Sequence, residues 1–294
     1  MAALALKGRK AEKEMSFLEH LEELRWHIIR AVVAIVVLMI VAFIFSRIIF
    51  DEIILAPRSP DFVTARWLCK LGEIMHIEDL CINQRPANII NIKMAGQLTT
   101  DIKVSLIAGV ILAFPVILWE FWKFFEPALK PNEKKYTQGA IWITSLLFFI
   151  GVLFGFFALA PLSVHFLTTY TASTEIVNQI DVKSYIGTVT SICLATGLVF
   201  ELPIIAFFLT KIGIITPQFM RNYRRHSIVV IFIVAAIITP PDVFSQILVA
   251  IPLLILYEVS IFISARVVKQ RERDNAAFMN DEVSSDTSIV PAKS

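Results

Sequence analysis

The run from Ile186 to Leu209 is almost wholly apolar and carries one carboxyl group, Glu201, near its centre. Crossing a hydrocarbon layer takes about 20 helical residues, and this run is long enough. A charged carboxyl at such a depth costs about 2.5–3.5 kcal/mol to insert, so Glu201 marks a polar task inside a membrane. Five further runs share the apolar character: Ile28–Phe50, Val104–Phe125, Ala140–Leu167, Ser227–Ile238 and Phe244–Ala265. With 56% of its residues apolar, the chain reads as an all-α membrane protein of six spans. The fifth run is the short one. Arg224 and Arg225 close it on one side and Pro240–Pro241 on the other, leaving about 18 Å at helical rise, so the bilayer must thin or neighbouring helices must support it.

Basic residues orient the bundle. Most of the 27 Lys and Arg fall on one side when both termini are cytoplasmic: Lys7 to Arg25 in the N-terminal arm, Lys123 to Lys135, Lys211 to Arg225, and Arg266 onward. The positive-inside bias therefore puts both ends in the cytoplasm. No cleavable signal peptide is legible: the first apolar stretch is long and follows a charged arm. A bacterial inner membrane is the expected location. Three segments follow: a cytoplasmic arm at 1–27 with an amphipathic helix, a membrane domain at 28–265 including an outer loop at 51–103, and a polar tail at 266–294 read as disordered.

Ala56–Pro57 and Ser59–Pro60 end the first span, and short helices are expected near Phe62–Leu71 and Glu73–Leu80. An oxidising compartment would permit a Cys69–Cys81 disulfide; two unpaired thiols on an amphipathic loop helix are the other outcome. Pro115, Pro203 and Pro252 lie inside the three spans that run outside to inside. Each removes a backbone hydrogen bond and should kink its helix, giving a bent, cupped bundle.

Before the first span, Phe17, Leu18, Leu21, Leu24 and Ile28 gather on one side of a helix, with Glu19, Glu22 and Glu23 opposite, an interfacial pattern. Ser16 and Glu19 fit a capping box. Glu22 and Glu23 have no such local use, and acids beside an anionic leaflet are repelled unless they meet a cation. The link Phe124–Lys135 is stiffened by Pro127 and Pro131; Asn132 is placed to cap the next helix, with Glu133 in a first turn that favours a carboxylate. Thr239 to Asp242 forms a tight turn in which Asp242 caps the last helix, and Gln246 follows one turn later as a candidate contact between spans. No nucleotide-binding, hydrolase or metal-spaced motif is present, so no cofactor and no enzymatic activity are expected, and transport must draw on another energy source.

In order along the chain, Phe17–Arg25 (FLEHLEELR), Ala56–Pro57, Pro115–Leu129 with Glu133 after it, Phe200–Pro203 (FELP), Thr239–Gln246 (TPPDVFSQ) and Leu256–Glu258 (LYE) resemble TatC, the polytopic core of the twin-arginine protein translocase. The resemblance implies six helices in a glove-like shape and a receptor for the paired arginines of export signal peptides. It implies that Glu23 and Glu133 contact those arginines, with Arg25 and Phe124 shaping the site beside Glu22 and Glu19. It further implies that Glu201, Gln246 and Pro203 meet small single-span partner subunits of the TatA/TatB type, that copies associate in a larger complex, and that the proton gradient drives export of folded cargo. Pro57, Pro127, Pro240, Pro241 and Asp242 serve as structural turns. Glu126 departs from the small or apolar residue expected before Pro127. No nucleic acid is expected as a partner. The competing reading is a proton-coupled small-solute transporter with Glu201 as carrier; it predicts two similar halves, which the sequence does not show.

Overall fold

The structure is a computed structural model that describes residues 17–77, 81–84, 88–125, 131–173, 175, 178–239 and 243–287. It is an α-helical bundle: α1 Phe17–Ile44, α2 Ser46–Ile48, α3 Val63–Met75, α4 Gly96–Phe125, α5 Pro131–Phe154, α6 Ala160–Thr169, α7 Val182–Val199, α8 Leu202–Lys211, α9 Pro217–Asn222, α10 Arg224–Ile238 and α11 Val243–Thr287. Among the described residues, five helical stretches are long and apolar enough to cross a membrane: Leu21–Ile44, Gly96–Phe124, Ile141–Thr169, Val182–Lys211 and Ser245–Arg273. The expected short fifth span is α10, at 15 residues. The bundle has a near end, where α1 begins, and a far end opposite.

The amphipathic segment and the first span form one continuous helix, because nothing from Phe17 to Ile44 is Gly or Pro. Among the described side chains of α1 only His27 and Ala42 are buried, while Val33, Val37 and Ile40 stand more than half exposed. That is the pattern of a helix facing lipid around most of its girth and docked along one strip. The strip lies on α4, where Gly109 is the reason the two can approach. A Cβ at Gly109 would stand 2.8 Å from the backbone nitrogen of Met39 and 3.0 Å from the carbonyl oxygen of Ile35. Small residues at such crossings let membrane helices pack without a hydrophobic driving force.

α5 and α7 meet in the same way, with Gly151 against Phe200 and Gly197 against the Phe148 ring. Phe148 also stacks on Phe114 of α4, which ties three helices together. A second cluster joins Leu159, Ile192, Ile231, Val249 and Leu253, and α8 packs along α11, where Thr210 and Ser264 share a hydrogen bond of 2.8 Å.

Proline coincides with two interruptions of the passes. Pro115 and Pro252 lie inside α4 and α11, which run on through them. At Pro203 the span is broken: α7 stops at Val199, and α8 starts at Leu202 with Pro203 in its first turn. The third pass is interrupted too. A π-helical segment, Gly155–Leu159, separates α5 from α6, where Pro161 sits in the first turn. Pro161 has no N–H to give to the carbonyl one turn back, that of Phe157; the hydroxyl of Thr64 on α3 donates to that carbonyl instead.

Three local expectations change. Where two short helices were expected near Phe62–Leu71 and Glu73–Leu80, the described residues form a single continuous helix, α3, that runs from Val63 to Met75. It ends at His76, whose left-handed conformation (φ 54°) lets Ile77 N–H reach the Gly72 carbonyl. Asn132 is no cap, because α5 already begins at Pro131, a position proline suits. And α11 continues to Thr287, past residue 265 where a disordered tail was expected; the stretch Lys269–Arg273 is rich in good helix formers. A disulfide joins Cys69 to Cys81. Ile89–Ile90 pairs in parallel with Ile180–Asp181, tying the two far-end loops together.

Candidate functional site

Antiparallel packing of α1 on α4 brings the first turns of one beside the last turns of the other, at the near end. There His27 Nδ1 lies 2.7 Å from Glu120 Oε2, and both residues are 8% exposed. Arg30, one turn along α1, reaches the same carboxylate oxygen at 3.4 Å from a side chain that is 56% exposed. The short, buried contact is the stronger of the two, since geometry and desolvation both favour it. The His27 ring stands edge-on to Phe124, centroids 6.3 Å apart, and Phe124 is one turn beyond Glu120 on the same face of α4.

Glu23 precedes His27 by one turn and shares its face. Its Oε2 is buried and has no hydrogen-bond partner among the described residues. A buried carboxylate oxygen without a donor is costly, and a cationic group brought to this corner would remove that cost. Of the sequence-predicted set, the structure thus gathers Glu23 and Phe124 around His27, while Glu22 and Arg25 point outward and are exposed. Glu19 lies in the first turn of α1 and Glu133 in the first turn of α5; their side chains lie outside the described residues, as do Ser16, Glu126, Pro127, Pro240, Pro241 and Asp242.

His27, Arg30 and Glu120 were missed from sequence. The signal for Glu120 was available, since it lies inside the run Val104–Phe125, where a charged side chain is costly, though less so near the end of a span than at the centre. Its pairing with His27, 93 residues away, carries no local mark.

The second polar position is Glu201, between α7 and α8. Its backbone carbonyl accepts from the N–H groups of Ile204 and Ile205, each at 3.0 Å, and so starts α8. The side chain is buried, and among the described residues its Oε1 has no hydrogen-bond partner, backbone carbonyls near the break included. Pro203 is buried beside it. Gln246 donates from Nε2 to the Phe232 carbonyl at 3.1 Å, which joins α11 to α10. Tyr257 of the LYE segment donates to the Met220 carbonyl and accepts from Ser227, both at 2.8 Å, and Glu258 pairs with Arg224 at 2.7 Å. Those contacts brace the near ends of α9, α10 and α11. At the far end, Pro57 is buried, and its carbonyl accepts from Asn83 Nδ2 at 2.9 Å.

The profile of the family described as Sec-independent protein translocase protein (TatC) matches residues 19–252. A protein of that name from Blattabacterium sp. subsp. Periplaneta americana (strain BPLAN) is 40% identical over 265 residues, covering 90% of this chain and all of the relative. Another, from Aquifex aeolicus (strain VF5), is 34% identical over 259 residues, covering 88% of this chain and 98% of its own. Among solved structures, the crystal structure described as twin arginine translocase receptor TatC is similar with a TM-score of 0.64 and 35% identity, over 85% of this chain and 100% of that one.

Proposed function

The chain belongs to the TatC family of Sec-independent protein translocase proteins, and from that premise we infer how this core translocase subunit recognises its cargo. The near end of the α1–α4 pair is its signal-peptide receptor surface. Two guanidinium groups call for two carboxylates, each able to accept paired hydrogen bonds. Glu23 and Glu133 supply them, Phe124 and Arg25 border the site, and Glu22 and Glu19 add negative potential that draws a cationic segment in. The observation that carries this reading is the buried Oε2 of Glu23, without a hydrogen-bond partner among the described residues, one helical turn before His27, whose ring meets that of Phe124.

The near end is then cytoplasmic, with the arm through residue 27 and the segment from 266 onward on that side, and 28–265 as the membrane unit of the bacterial inner membrane. α10 makes the sixth crossing in spite of its length. Glu201, whose Oε1 meets no donor among the described residues, is the point at which a polar group on a single-span partner subunit docks, with Pro203 and Gln246 shaping the contact. Partner subunits and further copies complete the passage for folded cargo, and the proton gradient drives it. The solute-transporter alternative is not favoured: relatives matched along their whole length are translocase proteins, and the chain lacks the two similar halves it requires.

Photo-crosslinking of a twin-arginine signal peptide to membranes holding the full chain tests the receptor surface. Each charge-assisted contact is worth about 1.5–3 kcal/mol, so Glu23→Ala and Glu133→Ala should each weaken capture by about tenfold or more, and a Lys-Lys peptide should be captured poorly. Equal capture of Arg-Arg and Lys-Lys peptides, or indifference to both substitutions, would remove this site.

A further inference from the structure

The far-end helix α3 carries an apolar stripe on the side turned away from the protein. Val63, Trp67, Leu71 and Ile74 are spaced by four, four and three residues, which places them within a wedge of about 80°. All four are exposed, Trp67 at 67% and Ile74 at 76%. The opposite face is already used: Ala65 and Gly72 are buried, and Leu68 packs on the cluster of Phe62, Ile82 and Leu162. A helix with one face in the protein and a second apolar face outside it is not finished by water.

What lies beside the stripe identifies its occupant. α3 is fastened to the third pass at the level of Phe157, through the Thr64 hydroxyl on the Phe157 carbonyl and through Phe62, which stacks on the Phe157 ring at 5.6 Å. Phe157 and Leu153 are themselves exposed on the outward wall of that pass, a wall long and apolar enough to face hydrocarbon. The stripe thus continues the lipid-facing surface of the bundle. Arg66 and Lys70, both exposed, flank it on one side, where long cationic side chains reach lipid phosphates while their stems stay in apolar surroundings. Trp67 has the amphipathic ring favoured at membrane boundaries.

We propose that α3 is an interfacial anchor lying in the far-end leaflet, with Val63, Trp67, Leu71 and Ile74 among the upper acyl chains and Arg66 and Lys70 on the phosphates. The Cys69–Cys81 disulfide and Asn83 fix its depth: Asn83 is two residues past the disulfide and bonds the carbonyls of both Pro57 and Pro161. That this leaflet is the outer one rests on the near end being cytoplasmic; immersion of the helix does not.

Depth-dependent fluorescence quenching tests this on the full chain in phosphatidylcholine vesicles. The difference between wild-type and Trp67→Phe emission isolates Trp67 from the other tryptophans. The expected result is strong loss of that emission with lipid brominated near the head of the acyl chain, weaker loss with bromine near its end, and little loss with aqueous iodide. Quenching by iodide without quenching by lipid would overturn the proposal by placing the stripe in water. Resistance to both would overturn it by showing protein, a second copy or another subunit, over the stripe. Signal-peptide capture does not enter the readout, so failure here and failure of the receptor site are separately visible.

Discussion

Two carboxyl groups lie deep in membrane-length helices, and their surroundings treat them in opposite ways. Glu120 is held by His27 at 2.7 Å in a buried contact; the Oε1 of Glu201 is buried with no hydrogen-bond partner. Removing one member of a buried polar pair strands the other, so His27→Ala should lower the stability of the purified chain by about 1–3 kcal/mol. Arg30→Ala removes only a long, half-exposed contact and should cost no more than about 1 kcal/mol. Thermal unfolding in detergent ranks the two, and equal losses would mean that Arg30 holds the carboxylate as firmly as His27 does. Glu201→Leu has the reverse profile. It removes a buried oxygen that no described residue satisfies, so the melting temperature should not fall, while transport in cells should be lost. A large drop in melting temperature would show that Glu201 serves the fold and not a partner.

Helices cross where side chains vanish. At Gly109 the neighbours of an added Cβ are backbone atoms of α1, which cannot swing aside, so Gly109→Ala must push α1 off α4 and should cost about 1–3 kcal/mol. Gly139→Ala is the matched control, since a Cβ there meets nothing within 4 Å and helix propensity favours alanine. Equal melting temperatures for the two variants would mean that the α1–α4 contact yields. At this scale the sequence was most legible. Long apolar runs specify spans because hydrocarbon tolerates no unpaired backbone, and Pro203 announced the interruption before α8. Legibility failed where partners are distant or unmarked. Nothing near Leu118–Phe121 says that Glu120 meets His27, no local residue type announces a left-handed His76, and the polar composition after Ala265 concealed good helix formers.

The far end of the whole molecule is bound by several independent ties: the Cys69–Cys81 disulfide, Asn83, and the pairing of Ile89–Ile90 with Ile180–Asp181. Closing a loop of this size stabilises by about 3 kcal/mol in the chain-entropy description, so Cys69→Ser with Cys81→Ser should lower the melting temperature, and reductant should do the same to the wild type but not to the double variant. An unchanged wild type under reductant would show that the other ties suffice. Among the described residues the near end has no such cross-link, and there α1 and α4 leave a carboxylate oxygen unsatisfied. Between the two ends lies the break at Glu201. Its α7 half is packed on α5 and its α8 half on α11, so one pass is divided between two helical neighbours. The joint between the halves holds Glu201, whose buried Oε1 has no hydrogen-bond partner among the described residues, and a polar group arriving from outside would meet the chain where its own backbone is already interrupted.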